Sequence, residues 1–243
     1  MRIISYDKLI LNNSAEGPFP YTFPILWGKV ELDLPHFDGV NGKVHDISCR
    51  HIDMDLTGPT WTALPSGEKV LTYNGVNQYL QCPAADSTAL NFTNEDFTLL
   101  AWIYGNPAGA SEIMVQGAVD VDGWEFYVFP NNIALRTNQL GSHTEISAIG
   151  FFVPNTWQLV AVTRKGSIGQ FYVNGLPVTT TLGTGLLDPV SCAGGNKFLI
   201  GVQNNEITNL WDGMMGHHRI YSRELSAFEI MAIWVEERVL YGV

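Results

Sequence analysis

Short apolar runs separated by turn residues recur along most of the 243-residue chain, and they constrain its fold more than any other feature. Roughly ten or more of these runs have the length of a β-strand, and clusters of Gly, Asn, Asp and Pro stand between them. Runs of this length and spacing are typical of two antiparallel sheets packed against each other. The sequence therefore predicts an all-β protein, a two-sheet antiparallel sandwich.

The clearest of these runs form a β-hairpin at residues 157–175. In its second strand Phe171 and Val173 alternate with Tyr172 and Asn174, which is the period-two pattern of a strand with one buried face. The small and charged residues between the two runs supply the turn. Nothing in the hairpin points to catalysis, so we interpret it as part of the sandwich core.

One segment, residues 225–239, has helical rather than strand-like spacing. Ser226 and Glu229 match a capping box, in which each side chain accepts a hydrogen bond from a free backbone N–H of the first turn. Phe228, Met231 and Val235 lie at helical spacing, as do Ile230 and Trp234, and together they predict an apolar face that packs on the sandwich. The sequence thus predicts one short C-terminal helix.

Composition and charge exclude several classes of protein. The net charge is −11, from 24 acidic and 13 basic residues, and such a surface repels the phosphate backbone of nucleic acids. No run of about 20 apolar residues occurs, so we expect no membrane insertion. The N-terminal residues show no signal peptide, and we expect cytoplasmic synthesis. Cys49, Cys82 and Cys192 are too few and scattered for a disulfide framework or a zinc site, although one disulfide remains open.

Residues 1–26 differ from the rest of the chain. They contain three prolines and alternate small with aromatic residues, which favours an extended arm over a packed element. Phe19, Tyr21 and Phe23 would be adhesive if exposed, so we expect them to pack on their own domain or on a neighbouring subunit. The predicted division is an N-terminal arm at 1–26 and a sandwich ending in a helix at 27–243.

Several motifs follow one another in a fixed order: LDLPHFDGVNGKVHDIS (32–48), LTGPTW (56–61), LTYNGVNQYLQCP (71–83), DFTLLAWIY (96–104), WQLVAVTRKGSIGQFYVNG (157–175) and DGMMGHHRIYSRELSAFEI (212–230). With them the chain resembles the laminin-G-like domains of the concanavalin-A-like lectin/glucanase superfamily, in its pentraxin-like branch. The resemblance implies a jelly-roll sandwich. The chain departs from the family in the closing strand, where Gly216 and His217 stand at positions that are commonly acidic. A function that needs those acidic residues is therefore in doubt.

The wider superfamily includes glucanases, so an enzymatic activity has to be considered. Retaining glycosidases need two carboxylates about 5 Å apart, and in this fold they commonly form an E-x-D-x-E motif on one strand. The chain has no such motif, and its nearest acidic pairs, Glu95–Asp96 and Asp120-x-Asp122, have turn-like contexts. Nucleophile-elbow, P-loop and H-E-x-x-H motifs are also missing. We expect no enzymatic activity, with a glycoside hydrolase as the less favoured alternative.

Two short motifs raise the question of a metal. Asp120 and Asp122 flank one residue before Gly123, which could present two carboxylates to calcium, and some family members bind calcium at loops on one edge of the sandwich. An ordinary acidic turn is the alternative. His217 and His218 are adjacent on a strand and should point to opposite faces, one packed and one exposed, so they should not chelate one ion. Calcium is the one cofactor that the sequence suggests.

Two of the seven tryptophans are candidates for contact with a ligand. Trp124 and Trp211 border turns, where an indole could stack on a sugar ring, whereas the other tryptophans fall at positions that look structural. Packing in the core is the alternative for both.

Two binding roles agree with these observations. The favoured role is a structural or attachment protein on the surface of a larger assembly, such as a bacteriophage capsid decoration or fibre component. It would explain the missing signal peptide and the arm, and it implies subunit partners, with homo-oligomers among them, and a virion or other extracellular particle as the location. The other role is a module that recognises a glycan or a protein, with calcium assisting.

Overall fold

Two antiparallel sheets packed face to face form the body of the protein. The computed structural model describes residues 28–35, 42–106, 108–182, 185–192 and 195–243. Within these ranges the first sheet has eight strands and the second has nine. The two-sheet antiparallel sandwich with a single C-terminal helix is thereby confirmed.

The first sheet is arranged around a long central strand, β17 (Asp212–Tyr221). In spatial order its strands are β14 (Leu176–Val178), β13 (Ile168–Val173), β12 (Gln158–Lys165), β7 (Phe97–Gly105), β17 (Asp212–Tyr221), β5 (Lys69–Asn74) and β4 (Thr60–Ala63), while β1 (Val30–Leu34) also pairs with β17. β5 pairs with the first part of β17, up to Met215, and β1 with the last part, from His218. The two strands therefore lie end to end along one side of β17.

The second sheet packs against the first across the main core. Its strands, in spatial order, are β15 (Thr181–Leu182), β11 (Ser142–Ile149), β10 (Asn132–Gln139), β9 (Asp122–Phe129), β8 (Ser111–Ala118), β16 (Phe198–Ile200), β6 (Tyr79–Cys82), β3 (Met54–Thr57) and β2 (Lys43–Val44). A short 3-10 helix, Thr88–Leu90, follows β6. Alternate side chains of both sheets fill the space between them, as in the hairpin of β12 and β13, where Phe171 lies in the core and Tyr172 on the opposite face.

The C-terminal helix, α1, spans Ala227–Tyr241 and begins with the predicted capping box. The Ser226 Oγ accepts from the Glu229 N–H at 3.3 Å, and the Glu229 carboxylate accepts from the Ser226 N–H at 2.8 Å. At the other end Gly242 adopts a left-handed conformation, with φ 74°, which ends the helix. The local sequence signals therefore set both ends of α1.

Only part of the predicted apolar face of α1 packs on the first sheet, namely Ile230 and Trp234. Phe228 and Val235 are 67% and 52% exposed, whereas Ile230, Ile233 and Tyr241 are buried against the outer face of the first sheet. Apolar residues occur all around this helix, so hydrophobic spacing alone does not select the buried side. Polar partners underneath the helix select it.

Those partners form a group that we call the ionic cluster: Asp33, His217, Arg219 and Glu237, from β1, β17 and α1. Glu237 contacts the Arg219 Nη2 at 2.6 Å and the His217 Nδ1 at 3.3 Å. It also accepts a hydrogen bond from the Trp102 Nε1 at 2.7 Å. Asp33 contacts both the His217 Nε2 and the Arg219 Nε. Two carboxylates and two cationic side chains thus hold the helix against the sheet.

Charge pairing in the ionic cluster shifts the pKa values of all four members, and that of Arg219 rises well above its ordinary value beside Glu237 and Asp33. Burial alone would raise the pKa of Glu237 and of Asp33, but Arg219 and His217 outweigh it and hold both pKa values below their ordinary range. Burial and Arg219 lower the pKa of His217, but the two carboxylates outweigh them and raise it above the ordinary value. The cluster is therefore stable in its ionised form.

The prediction that one of the two adjacent histidines is exposed is wrong, because both are buried. The register of β17 shifts between Met215 and His218, so the simple alternation of faces does not hold there. His217 joins the ionic cluster. Burial lowers the pKa of His218 to about 3, which keeps this imidazole neutral.

The three cysteines are free thiols, so the disulfide that the sequence left open does not form here. Cys49 is exposed, whereas Cys82 is buried and Cys192 is partly buried; burial raises the pKa of both enclosed thiols to about 12. Among the described residues, no helix is long and apolar enough to cross a membrane. The predicted arm, with Phe19, Tyr21 and Phe23, lies outside the described residues, and the division at residue 26 stays a prediction.

Candidate functional site

An open cleft of about 350 Å³ lies at one end of the sandwich, and we call it the rim cleft. It forms where β5 and β7 end and where β8 and β17 begin. Its polar lining consists of Asn74, Ser111, Asn209 and Asp212, and Ile207 adds an apolar side chain that is 75% exposed. Its volume is at the small end of the usual range for ligand sites, about 300–1,000 Å³.

Two glycines allow the strand ends to meet beneath the rim cleft. Gly75 has φ 67°, and a Cβ there would lie 3.0 Å from the Asp212 Cβ. Gly213 has φ 138°, and a Cβ there would lie 2.2 Å from the Tyr104 carbonyl oxygen, which is closer than any real contact. Both positions combine a backbone conformation that favours glycine with a lack of space. The glycines therefore fix how closely Asp212 approaches the β5 turn.

Most polar groups of the rim cleft are held in place by the protein itself. The Asn74 Oδ1 accepts from the N–H groups of Val76 and Asn77 at 2.9 and 3.2 Å, an arrangement that shapes the turn. The Ser111 Oγ donates to the Leu210 carbonyl at 3.1 Å. These bonds orient the side chains and leave Ser111 with spare capacity as an acceptor.

Two further acceptors point to ligand binding. The Asn209 Nδ2 donates to the Glu112 Oε1 at 3.2 Å, and the Asn209 backbone carbonyl accepts from the Glu112 N–H at 2.9 Å, which leaves the side-chain Oδ1 as an acceptor. Asp212 is exposed, and no group in the described part of the chain donates a hydrogen bond to its carboxylate. A carboxylate can accept two hydrogen bonds side by side, and bonds to a charged acceptor are about twice as strong as neutral ones. The rim cleft can therefore bind a group rich in hydroxyls.

Trp124 and Trp211, the predicted ligand contacts, are instead fully buried. The Trp124 Nε1 donates to the Leu90 carbonyl at 3.0 Å inside the main core. The Trp211 indole lies in the same core, and its backbone carbonyl accepts from the Gly75 N–H at 2.9 Å. Neither indole offers a face to a ligand, because each fills the space between the sheets. The neighbouring Asp212, rather than Trp211, lines the rim cleft.

Asp120 and Asp122, the predicted calcium ligands, both have protein partners. The Asp120 Oδ1 lies 2.5 Å from the His143 Nδ1. The Asp122 Oδ1 accepts from the Ala118 N–H at 2.9 Å and from the Asn196 Nδ2 at 2.8 Å. No group of three or more His, Cys, Asp or Glu side chains suited to a metal occurs among the described residues. Calcium binding through this turn stays a prediction.

A second carboxylate group, which the sequence did not indicate, lies on the outer face of the second sheet. Arg136 lies 3.1 Å from the Glu125 carboxylate, 3.2 Å from Glu145 and 3.0 Å from the Tyr127 hydroxyl. Glu112 is near them, and burial together with the charge of Glu125 raises its pKa well above the ordinary value. Four different strands supply these residues, so no linear motif marks them.

This outer group has some of the ingredients of acid–base chemistry but little contact with solvent. Glu112 and Glu125 are 1% and 0% exposed. Glu112 follows Ser111 in the chain and meets the rim cleft through two hydrogen bonds with Asn209, one to its backbone carbonyl at 2.9 Å and one from its side-chain Nδ2 at 3.2 Å. The absence of enzymatic activity stays a prediction.

A profile of the concanavalin A-like lectin/glucanases superfamily matches residues 74–231, well over half of the chain. This chain belongs to that superfamily. The match runs from the β5 turn at the rim cleft, through both sheets, into α1. The predicted resemblance is thereby confirmed, and with it the jelly-roll fold. No curated protein matches the sequence.

Three solved structures illustrate what the fold resembles. The binding domain of Paraclostridial Mosquitocidal Protein 1 is 16% identical, with a TM-score of 0.64 over 86% of this chain and 52% of that one. The binding domain of Botulinum Neurotoxin DC in complex with SialylT is 13% identical, with a TM-score of 0.63 over 87% and 52%. Trypanosoma rangeli sialidase in complex with the inhibitor DANA is 18% identical, with a TM-score of 0.61 over 86% and 33%.

At these identities the likeness extends to the fold alone. The chain spans about half the length of the two toxin binding domains and a third of the sialidase chain. The fold is therefore shared, whereas ligands and activities belong to each of those proteins separately.

Proposed function

We propose that this chain is a non-catalytic carbohydrate-recognition module that binds its ligand in the rim cleft. The observation that carries the proposal is the exposed Asp212 carboxylate, which has no described hydrogen-bond partner and lies among oriented side chains at the ends of packed strands. Side chains on such a scaffold lose little conformational freedom when a ligand binds. Hydroxyl groups of a sugar supply the donors that the carboxylate lacks.

The relatives agree with a binding role. Two of the similar structures are toxin binding domains, and one of these is described in complex with SialylT. The sialidase neighbour keeps a glycoside hydrolase as the alternative. We favour recognition because the outer carboxylate group is enclosed, whereas the rim cleft is open and contains one carboxylate.

A glycan screen of the purified chain tests the proposal. We expect reproducible binding to one class of sugar, and we expect Asp212→Ala to weaken it about tenfold or more, since a hydrogen bond to a charged group contributes about 1.5–3 kcal/mol. Asp86→Ala is the matched control, because Asp86 is also exposed but follows the far end of β6. Silence of the wild-type chain across the screen would refute recognition of carbohydrates.

The same screen run with calcium and again with a chelator tests the metal prediction. Loss of binding in the chelator, reproduced by Asp120→Asn together with Asp122→Asn, would support calcium at that turn. Equal binding in both conditions would remove calcium from the proposal and leave the rim cleft in place.

A role on the surface of a particle, favoured by the sequence, stays a prediction that the comparisons do not support. This role is tested by measuring the assembly state of the chain with and without residues 1–26. If the arm docks subunits, removal of these residues should abolish assembly and leave the melting temperature of the sandwich unchanged. An unchanged assembly state after truncation would contradict the arm hypothesis.

A further inference from the structure

We infer that the rim cleft selects uncharged glycan ends and discriminates against sialylated ones. This inference rests on the proposed function and names the chemical class of its ligand. It also sets the chain apart from the similar structures that are described with SialylT and with DANA.

The hydrogen-bonding character of the rim cleft is the first reason. Its available groups are mostly acceptors: the Asp212 carboxylate, the Asn209 side-chain Oδ1 and the Ser111 hydroxyl oxygen, whose hydrogen is used by Leu210. Asn74 keeps one amide hydrogen, since the other is donated to Asn77. A neutral sugar offers hydroxyl donors to such a set, whereas a ligand carboxylate offers only acceptors.

The charge of the rim cleft is the second reason. None of its described lining residues is basic, and Asp212 supplies a negative charge. Protein sites that bind a carboxylate commonly use the paired N–H groups of arginine, which the lining does not provide. A ligand carboxylate close to Asp212 would instead be repelled.

Lys197 and Arg136 are bound by carboxylates outside the lining of the rim cleft. Lys197 bonds to Glu206, close to Ile207 in sequence, and also to Gln81, with both contacts at 2.7 Å. Arg136 is held by Glu125 and its neighbours on the outer face of the second sheet. Neither cation lines the rim cleft. The local excess of negative charge therefore persists around a bound ligand.

The apolar contacts fit the same ligand. Ile207 is 75% exposed, and Leu210, Ala108 and Ala110 also contribute to the apolar part of the lining. Aliphatic side chains can pack on the C–H face of a neutral pyranose while the acceptors bind the hydroxyls at its edge. With apolar contacts on one side and hydrogen-bond acceptors on the other, the cleft would hold the sugar in one orientation.

The test uses glycans in matched pairs, each pair differing only in the presence of a terminal sialic acid. The full chain is titrated with the best pair from the screen, at low and at physiological ionic strength. We expect the uncharged member to bind about tenfold more tightly, and we expect this ratio to shrink as salt screens the repulsion.

Variants assign the preference to the rim cleft. Asp212→Asn keeps the shape but removes the charge, so it should weaken binding of the uncharged sugar and bring the ratio within a pair close to one. Asp86→Asn should leave both affinities unchanged. Thermal melts of both variants verify that the fold is intact.

The possible results separate this inference from the function on which it rests. Tighter binding of the sialylated members would overturn the inference and leave carbohydrate recognition standing. A preference for uncharged sugars that survives in Asp212→Asn would show that another surface carries it. Failure of the wild-type chain to bind either member of any pair would refute the proposed function itself.

Discussion

Substitution of Glu237 by glutamine should destabilise the protein strongly, because it removes one charge from the buried ionic cluster. Glu237 accepts from the Arg219 Nη2 at 2.6 Å and from the Trp102 Nε1 at 2.7 Å. Glutamine has nearly the same shape but keeps a single acceptor oxygen, and its NH₂ group would face either Arg219 and His217 or the Trp102 N–H. Loss of one partner from a buried ionic group costs about 3–5 kcal/mol.

That cost converts into a melting-temperature change that is easy to measure. A chain of this length shifts by about 2–4 °C per kcal/mol, so Glu237→Gln should lower the melting temperature by about 6–20 °C. Glu236→Gln is the matched control on the same helix, where the side chain is exposed. Exposed substitutions usually stay within about 0.5 kcal/mol, so the control should shift by less than about 2 °C.

The pH dependence gives the prediction a second readout. The lowered pKa values of Glu237 and Asp33 stabilise the fold above the unfolded carboxyl pKa of about 4, and this stabilisation is lost as pH falls through the folded values. The raised pKa of His217 stabilises the fold below about 6.5, and this is lost as pH rises through its folded value.

The difference in melting temperature between wild type and Glu237→Gln should therefore be largest between about pH 4.5 and 6.5, and it should become smaller at lower and at higher pH. Calorimetry or thermal circular dichroism across a pH series measures it. A shift no larger than that of Glu236→Gln, or one independent of pH, would refute the stabilising role of the ionic cluster.

Three further outcomes follow from the enclosed groups and the helix cap. Burial and the charge of Glu125 raise the pKa of Glu112, so the wild-type fold loses stability as pH rises. Glu112→Gln should therefore stabilise the fold by about 1 kcal/mol or more at pH 8 and by little at pH 4. Equal stabilisation at both pH values would contradict this. Ser226→Ala should cost about 0.5–2 kcal/mol in denaturant unfolding, whereas a neutral result would show that the capping box does not stabilise the helix. In a thiol-labelling assay, Cys49 should react rapidly in the native protein and the other two thiols only after unfolding; three equal rates would contradict their enclosure.

The sequence predicted most of the fold because its signals are local. Alternation at Phe171 and Tyr172 indicates a strand with two different faces, and Ser226 with Glu229 indicates where a helix begins; both are confirmed. The buried face of α1 was predicted only in part, with Ile230 on the sheet but Phe228 exposed, since the orientation of the helix also depends on Arg219 and His217 of a different element. Contacts between distant elements leave no periodic pattern in either one.

The candidate site was harder to predict for the same reason. Tryptophans beside turns suggested ligand contacts, but Trp124 and Trp211 are large enough to fill the space between two sheets, and burial takes them out of reach. Asp212 lies directly before Gly213, and a single carboxylate at a strand end carries no periodic pattern that marks a binding site. The one available signal was its place directly after Trp211, in a family motif that begins at a strand end.

The close approach of backbones at Gly213 and Gly75 limits how the specificity of the rim cleft can be altered. A side chain at Gly213 would collide with the Tyr104 carbonyl oxygen, and one at Gly75 would press on Asp212. The floor of the cleft is therefore closed to variation, whereas the side chain of Ile207, which is 75% exposed, leaves room for substitution. A library aimed at new sugar preferences should randomise Ile207 and keep both glycines fixed.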